Sequence, residues 1–308
     1  MKDASETSVD MDARSRALLA RYVLDRECLQ GGFCFYKLDE PNGSDTWFAI
    51  SILHVLDIPF DSEKTRRYLC NLQQPDGTFD SLYAACYAVK SLQLLKDAPP
   101  RNATSFVYNH LEKFIFSPDR LPPDIMSMFK RLRYLLELMD TLRLEIDHET
   151  TTGMIRFVLS FRNADGGFGH GRSCLSDTTE TLQILRRLAY PVADLQAHDF
   201  IRLCETPTAG FTNVPGTSLS SIEAVHDGLL CVTLVSCMPR YLNDCVKFIR
   251  FCRNKTGGFA RHACTGIATL ENSFYAVHAL RYAQMLEKRN DLRPGMKNAP
   301  GWRPGQQN

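Results

Sequence analysis

The stretch Asn163-Ala164-Asp165-Gly166-Gly167-Phe168 lies between an amphipathic segment, residues 155–162, and a more hydrophobic one, residues 178–188. The same Gly-Gly-Phe signature, or a close variant of it, recurs at positions 31–33, 77–79, 209–211 and 257–259. Successive copies are separated by 46, 89, 43 and 48 residues, so the second interval contains two periods and one degenerate copy, between residues 101 and 147. A period in the forties is typical of a repeat built from a pair of helices.

Each copy predicts an amphipathic helix, a polar turn with glycine, and then a second helix that is hydrophobic around its whole circumference. Glycine suits the end of the first helix, where a positive φ is needed without a Cβ clash. Together with an opening helix near 13–26 and two helices near 105–115 and 124–142, the chain predicts six helices of each type in alternation. Hydrophobic helices belong inside and amphipathic ones outside, and six pairs are enough to close a ring.

We therefore predict an all-α fold, a closed α6/α6 toroid of twelve helices over residues 13–288, with at least three-fifths of the chain helical. Segments 178–188 and 272–286 should lie in the inner ring. Residues 1–12 are predicted to be a flexible N-terminus, and residues 289–308, rich in Pro, Gly, Asn and Lys, to be a disordered C-terminal tail.

Bulk properties exclude several classes of protein. The 308 residues carry a formal net charge of +1 with no basic block, which argues against nucleic acid as a partner. No apolar stretch is long enough to span a membrane, and the opening sequence MKDASETSVD has no secretory signal. The eleven cysteines are scattered, without a C-x-x-C pair, as expected for small buried side chains in a reducing compartment. We expect a cytoplasmic protein.

Repeats of the form Q/N-x-x-G-G-F followed by a hydrophobic helix resemble those of protein prenyltransferase β subunits and of squalene-hopene-type terpene cyclases. The resemblance covers roughly residues 13–288. It implies an apolar central funnel inside the inner helices, with the chemistry at the rim formed by their N-terminal ends. It also implies a prenyl diphosphate or another isoprenoid as the ligand and, in the prenyltransferase branch, a possible protein partner.

The catalytic motifs of both branches are degenerate in this chain. The prenyltransferase zinc ligands would fall on Asp177, nine residues after Phe168, on Thr179 and on Asn272. The family has cysteine and histidine at the last two positions, and a hydroxyl is a poor zinc ligand, so the standard zinc triad is not complete. The cyclase Asp-x-Asp-Asp motif also fails, because Ser176 stands where that family has its proton donor.

Four acidic residues stand at or near predicted inner-helix starts: Asp45, Asp177, Glu223 and Glu271. Carboxylates around one rim can bind a metal, hold a Mg²⁺-diphosphate or include an acid with a raised pKa. Acids in a first turn also cap a helix or favourably meet its dipole, and Asp177-x-x-Glu180 and Ser220-x-x-Glu223 have capping-box spacing. With both interpretations open, Asp177, Glu223 and Glu271 are the candidate catalytic residues.

The remaining candidates are basic, aromatic or metal-ligating. Loop residues Arg172 and Arg261 are candidate diphosphate ligands, because a guanidinium binds phosphate bidentately; both could equally be solvated. Aromatic side chains on predicted inner helices suit an isoprenoid tail or a carbocation, although any one of them could be plain core. These are Trp47, Phe48, Tyr83, Tyr87, Phe274 and Tyr275, of which Trp47, Tyr83, Tyr87 and Tyr275 are the candidate binding residues.

A displaced metal site is a further hypothesis, because several rim-loop residues have side chains that suit zinc. The cofactor stays open between Mg²⁺ and such a displaced Zn²⁺. The candidate ligands are His170, Cys174, Asp177, His262 and Cys264.

These observations favour an enzyme that handles an isoprenoid diphosphate, similar to a prenyltransferase β subunit, and that transfers or cyclises a prenyl chain in a central funnel. One alternative is protonation chemistry of the class II terpene cyclase type. Another is a non-catalytic lipid-binding or scaffold toroid with a decayed active site. An open funnel with polar groups at one mouth would favour an enzyme over a scaffold with a filled centre.

Overall fold

The computed structural model describes residues 9, 11–36, 40–114 and 125–291, with only the backbone described at 125–127 and 291. Most of the predicted flexible N-terminus (1–12) and of the predicted disordered tail (289–308) lies outside these residues, and both stay predictions. At the described ends, Asp12 caps the first helix and the last helix continues to Asp291. The domain limits of 13 and 288 stay predictions; the first helix begins at Ala13 and the last ends three residues after 288.

The described residues form twelve α-helices that alternate along the chain between two sets. The odd-numbered helices are α1 (Ala13–Leu24), α3 (Glu63–Asn71), α5 (Thr104–Glu112), α7 (His148–Leu159), α9 (His198–Leu203) and α11 (Leu242–Phe251). The even-numbered helices are α2 (Gly43–Val55), α4 (Leu82–Leu94), α6 (Ile125–Leu142), α8 (Leu175–Arg187), α10 (Ile222–Leu234) and α12 (Leu270–Asp291).

The two sets differ in their hydrophobic pattern. In α11 the buried side chains Cys245, Phe248 and Ile249 recur at helical spacing, while Lys247 and Arg250 are exposed. A single apolar stripe of this kind suits a helix that packs on one side only. In α2 the buried positions run almost without interruption from Phe48 to Val55, as expected for a helix with neighbours on every side.

The even-numbered helices form a closed ring. Each contacts the next, from α2 to α4 and onward to α12, and α12 returns to pack against α2. Each odd-numbered helix packs on the even-numbered helix that follows it, which makes a second ring outside the first. The predicted α6/α6 toroid is confirmed, and so is the placement of segments 178–188 and 272–286 in the inner ring.

The repeated phenylalanine fixes the turn between an outer and an inner helix. Phe33, Phe168 and Phe259 are each at most 1% exposed. The backbone N–H of each donates to a hydroxyl at the start of the inner helix that follows, so the turn and the helix are joined by a buried hydrogen bond. The acceptors are Thr46, Thr178 and Ser273, at 2.9, 3.0 and 3.0 Å.

The repeated glycine brings neighbouring outer helices together. Gly257 has a φ of 96°, and a Cβ there would lie 2.5 Å from the carbonyl oxygen of Leu18 in α1. Because Gly257 follows the last outer helix and Leu18 belongs to the first, this contact closes the outer ring. Gly31 makes the equivalent approach to Lys64 of α3.

The fifth repeat departs most from the prediction. Its outer element is a 3₁₀ turn at Val192–Leu195 followed by the short α9, where an outer helix was predicted without bounds. Strands Glu205–Thr206 and Gly210–Phe211 pair next to it as a small antiparallel ribbon. Helices account for just over half of the described residues, slightly less than the predicted three-fifths. The difference arises because the connections between outer and inner helices are long. No helix in the described ranges combines the length and apolar character of a membrane span.

Candidate functional site

Aromatic side chains line one arc of the inner ring. The arc runs from α12 through α2 and α4 to α6, and neighbouring rings pack edge-on or tilted with centroids 5.1–6.5 Å apart. The hydroxyl groups of Tyr87 and Tyr134 lie 2.6 Å apart. We call this surface the aromatic wall; its members are Trp47, Phe48, Tyr83, Tyr87, Tyr134, Phe274 and Tyr275.

Several wall residues remain partly exposed, although their helices are enclosed by the outer ring. Trp47, Tyr83, Tyr87, Phe274 and Tyr275 are all half-buried. A side chain on an enclosed inner helix can keep exposure only toward the lumen or one of its mouths. The predicted residues Trp47, Tyr83, Tyr87 and Tyr275 are therefore brought together on a surface that a ligand in the ring can contact.

Charged side chains lie on α4, α6 and α8, an arc of the inner ring that overlaps the aromatic wall at α4 and α6. Glu137 of α6 is 5% exposed and accepts from Lys90 of α4 at 2.6 Å, from Arg133 at 2.7 Å and from Arg187 of α8 at 3.2 Å. Burial alone would raise the pKa of Glu137, but these three cations outweigh it and lower that pKa from 4.5 to about 2. Glu137 is therefore ionised and joins three inner helices.

Two of these cations also touch the aromatic wall. The Lys90 ammonium lies 4.4 Å from the centre of the Trp47 ring, and the Arg133 guanidinium lies 4.5 Å from that of Tyr134. Arg133 also donates to Glu180 of α8 through Nε and Nη2. Burial raises the pKa of Glu180 and the charge of Arg133 opposes that rise. Cation–π and ionic contacts thus join the aromatic wall to the charged side chains of α4, α6 and α8.

Further polar side chains pair with each other on inner helices α2, α10 and α12. His278 of α12 and Ser51 of α2 share a hydrogen bond of 3.1 Å between Nε2 and Oγ. Burial, and then the charges of His226 and Arg281, lower the pKa of His278 to about 3, so its imidazole is neutral. On α10, His226 pairs through Nδ1 with Asp227 at 2.9 Å.

The N-terminal rim brings together two of the predicted catalytic acids. Glu223 accepts from Arg261 at 3.0 Å, and the Glu271 carboxylate lies 3.5 Å from the Tyr275 hydroxyl. Burial raises the pKa of Glu271; Lys130 opposes that rise, and the charge of Glu223 adds to it. The Glu271 side chain is in contact with solvent, although protein atoms surround it closely enough to raise its pKa. This combination is expected for a side chain in the mouth of a concave opening.

Asp177 lies in a separate corner of the rim. It is the third residue of α8, 6% exposed, and the helix is capped by the thiol of Cys174, which accepts from the Asp177 backbone N–H at 3.4 Å. The capping-box interpretation is thus wrong for Asp177, and it is also wrong for Ser220, because Ser221 caps α10. Burial raises the pKa of the Asp177 carboxyl, and a hydrogen bond with the Cys174 thiol opposes that rise. The predicted Arg172 is exposed in the adjoining loop.

The sequence model of the family described as "Prenyltransferase alpha-alpha toroid domain" matches residues 4–111 and 123–297. The chain belongs to this family. No curated protein sequence matches this toroid.

Solved structures share the fold at low sequence identity. A protein geranylgeranyltransferase-I from Candida albicans, complexed with GGPP, is 15% identical with a TM-score of 0.69, over 88% of this chain and 92% of that one. The type II terpene cyclase MstE from Scytonema, in complex with geranylgeranyl dihydroxybenzoate, is 11% identical with a TM-score of 0.56, over 92% and 99%. A protein from Actinoplanes is 14% identical with a TM-score of 0.55, over 89% and 100%. At these identities the likeness shows the toroid fold alone.

The residues at the zinc positions of a prenyltransferase toroid do not fit a zinc ion. The Thr179 hydroxyl donates to the Leu175 carbonyl at 2.7 Å and lies 3.1 Å from Sγ of Cys231, so it is already satisfied inside the protein. Asn272 is buried, and a carboxamide is not among the usual zinc ligands. We therefore derive no step of chemistry through zinc at this position.

The predicted displaced ligands are not gathered around one point. Cys174 and Asp177 share the α8 corner, while His262 binds the Ser220 carbonyl through Nδ1 at 2.9 Å and Cys264 is exposed in the loop before α12. His170 is exposed as well. Among the residues described, no group of three or more His, Cys, Asp or Glu side chains is placed to hold a metal ion. The displaced site stays a prediction without support from this geometry.

Sequence reasoning missed the charged arc and part of the wall. The available signal was a charged residue inside an otherwise apolar helix, as with Lys90 in α4 and Glu137 within Leu135-Leu136-Glu137-Leu138. Arg133 and Glu137 also have the i, i+4 spacing of a helical ion pair. Such a residue is rarely buried unless it is paired, so these positions could have been predicted to meet partners on neighbouring inner helices.

Proposed function

We propose that this toroid binds an isoprenoid in its lumen and transfers or cyclises the prenyl chain at the mouth formed by the inner-helix N-termini. The observation that carries the proposal is the aromatic wall, which offers partly exposed rings from three consecutive inner helices, α12, α2 and α4. Aromatic faces bind an apolar tail and stabilise positive charge on carbon. The GGPP complex and the geranylgeranyl dihydroxybenzoate complex of the two solved relatives support the choice of ligand class.

The charge of the rim decides how a diphosphate can bind. Asp45, Glu223 and Glu271 stand there against Lys130 and Arg261, and Arg261 is already paired with Glu223. A bare diphosphate would be repelled by this excess of carboxylates. We therefore propose that a prenyl diphosphate enters as its Mg²⁺ complex, with the cation between diphosphate and carboxylate oxygens.

A second candidate is cyclisation that begins with protonation of a double bond. It is favoured by Glu271, whose pKa is raised and which stands directly above Tyr275 of the wall. A carboxyl group with a raised pKa holds its proton closer to neutral pH and can donate it. The product distinguishes the two candidates, because protonation conserves the diphosphate whereas transfer releases it.

Trp47 provides the test of binding. The chain has two tryptophans, Trp47 in the wall and Trp302 outside the described residues, so Trp302→Phe leaves one fluorophore in the lumen. We expect farnesyl diphosphate to change the Trp47 emission saturably, with tighter binding when Mg²⁺ is present. Farnesol should bind without a dependence on Mg²⁺. If neither compound changes the emission and neither is turned over, the lumen is not an isoprenoid site and the scaffold alternative is favoured. The predicted protein partner and cytoplasmic location remain predictions.

A further inference from the structure

A layer of polar side chains lies below the aromatic wall, on the same four inner helices. Two hydrogen-bonded pairs form it, Ser51 with His278 at 3.1 Å and Lys90 with Glu137 at 2.6 Å. The two pairs lie side by side in the ring, because α2, which carries Ser51, packs against α4, which carries Lys90. We call these four residues the polar floor.

The floor lies about one helical turn below the wall on each of its four helices. Ser51 follows Phe48 by three residues, Lys90 follows Tyr87 by three, and Glu137 follows Tyr134 by three. On α12, His278 follows Tyr275 by three residues. Residues three apart on a helix lie on the same face, so the floor and the wall face the same space.

The distance from rim to floor follows from the helical rise. Seven residues separate Tyr83 from Lys90 on α4, and seven separate Glu271 from His278 on α12. At 1.5 Å per residue both intervals correspond to about 10 Å. With C–C bonds of about 1.5 Å, an extended isoprene unit of four chain carbons spans about 5 Å, so about two units fit above the floor.

The floor groups are held in place and cannot easily yield to an apolar chain. Glu137 is bound by cations from three helices, and Lys90 is bound by both Glu137 and the Trp47 face. A prenyl tail pushed between these groups would separate buried polar atoms from their partners without replacing the hydrogen bonds.

We infer that the polar floor limits the isoprenoid accepted by the ring to about two isoprene units, the length of a geranyl group. This inference rests on the proposed function and adds to it the size of the substrate. It distinguishes the chain from a toroid with an apolar lumen, in which every added unit gains further buried surface.

The test is a length series in the Trp302→Phe background, with Trp47 as reporter and Mg²⁺ present. The probes are geranyl, farnesyl and geranylgeranyl diphosphate. We expect the geranyl compound to bind as tightly as the farnesyl compound, within about threefold, and the geranylgeranyl compound to bind more weakly. In an apolar funnel each five-carbon unit would instead tighten binding by at least about tenfold.

A double variant tests the floor directly. Ser51→Ala with His278→Leu replaces both partners of the neutral pair by apolar groups, a change that can be nearly neutral for stability. It should tighten farnesyl diphosphate binding about tenfold and leave geranyl diphosphate unchanged within about threefold. His148→Leu, on the exposed start of outer helix α7, is the matched control and should change neither value.

The outcomes separate this inference from the proposed function. Affinity that rises steadily from geranyl to geranylgeranyl diphosphate in the wild-type lumen overturns the inference and leaves the proposed function intact. A folded double variant that gains nothing for the farnesyl compound also overturns it. If no length binds, both are overturned. Should the double variant fail to fold, the length series on the Trp302→Phe protein still decides the question.

Discussion

The strongest quantitative prediction concerns Glu137, which joins inner helices α4, α6 and α8. Its pKa is lowered from 4.5 to about 2 by Arg133, Lys90 and Arg187 acting against burial. At 1.36 kcal/mol per pKa unit, this shift corresponds to about 3 kcal/mol of stability at neutral pH. Glu137→Gln also removes the buried carboxylate shared by Lys90, Arg133 and Arg187, and breaking a buried ion pair from one side costs about 3–5 kcal/mol.

Asp140 supplies the matched control on the same helix. It pairs with Arg187, but its side chain is 56% exposed, and exposed pairs contribute about 0–1 kcal/mol. We expect urea unfolding at pH 7, followed by circular dichroism, to show a loss of about 3–5 kcal/mol for Glu137→Gln and less than about 1 kcal/mol for Asp140→Asn. Equal and mild losses at both positions would refute the reasoning, because burial is the property that separates them.

The pH dependence of stability checks the same prediction in a second way. Glu137 has a folded pKa below its unfolded value, so its contribution is fully present above pH 4.5 and is lost as the pH falls toward 2. Wild-type protein should lose stability steeply in that window. Glu137→Gln should show a shallower loss there, and an identical slope in both proteins would contradict the assignment.

Three further predictions concern the ring and its rim. Gly257→Ala should lower the free energy of unfolding by about 3 kcal/mol or more, measured by thermal unfolding, because its Cβ would meet the backbone of α1. Gly216→Ala is the control: it has a φ of 74° but open space around the Cβ, and should lower the free energy of unfolding by about 1 kcal/mol. Asp177→Asn should leave the melting temperature unchanged or slightly higher, since it removes a buried carboxyl whose pKa burial raises, and it should abolish turnover if Asp177 takes part in the reaction. Asp45→Asn should lower the melting temperature, since that carboxylate accepts from a backbone N–H at 3.0 Å. Equal, mild effects at both aspartates would remove Asp177 from the site. Glu271→Gln should reduce turnover about 100-fold or more while Trp47-reported binding stays within about threefold, and unchanged turnover would exclude it as the acid.

The fold could be predicted because its determinants are local and repeat along the chain. The turn glycines, the buried Phe33, Phe168 and Phe259 and the periodicity of each helix are all visible within about fifteen residues. The prediction failed where the repeat itself changes. Around Gly210 the positive φ moves to the second position of the motif, and the bridge of the other repeats, here Glu205 with Phe211, is extended by a second pair into a short ribbon.

The candidate site was predictable only in part, because its contacts join residues far apart in sequence. Trp47 and Tyr275 could be assigned to inner helices from their own segments. That Lys90 meets Glu137, 47 residues later, depends on which inner helices are neighbours and on their register, and no local pattern carries that information. The predicted metal ligands failed to converge for the same reason, since a rim loop can be assigned to a repeat but not to a point on the rim.

The contrast between turns and lumen shows why a repeat protein can keep its fold while its site changes. The hydrogen bond from Phe33 to Thr46 recurs from Phe168 to Thr178 and from Phe259 to Ser273, because each of these turns must satisfy the same buried N–H. The lumen imposes no such requirement: a side chain there must only be compatible with those on the other five inner helices. Aromatic residues and ion pairs could therefore collect on neighbouring inner helices, at different levels of α4 and α6, without disturbing any turn. The depth and polarity of the lumen, rather than the repeat, must then distinguish this toroid's ligand from those of its relatives.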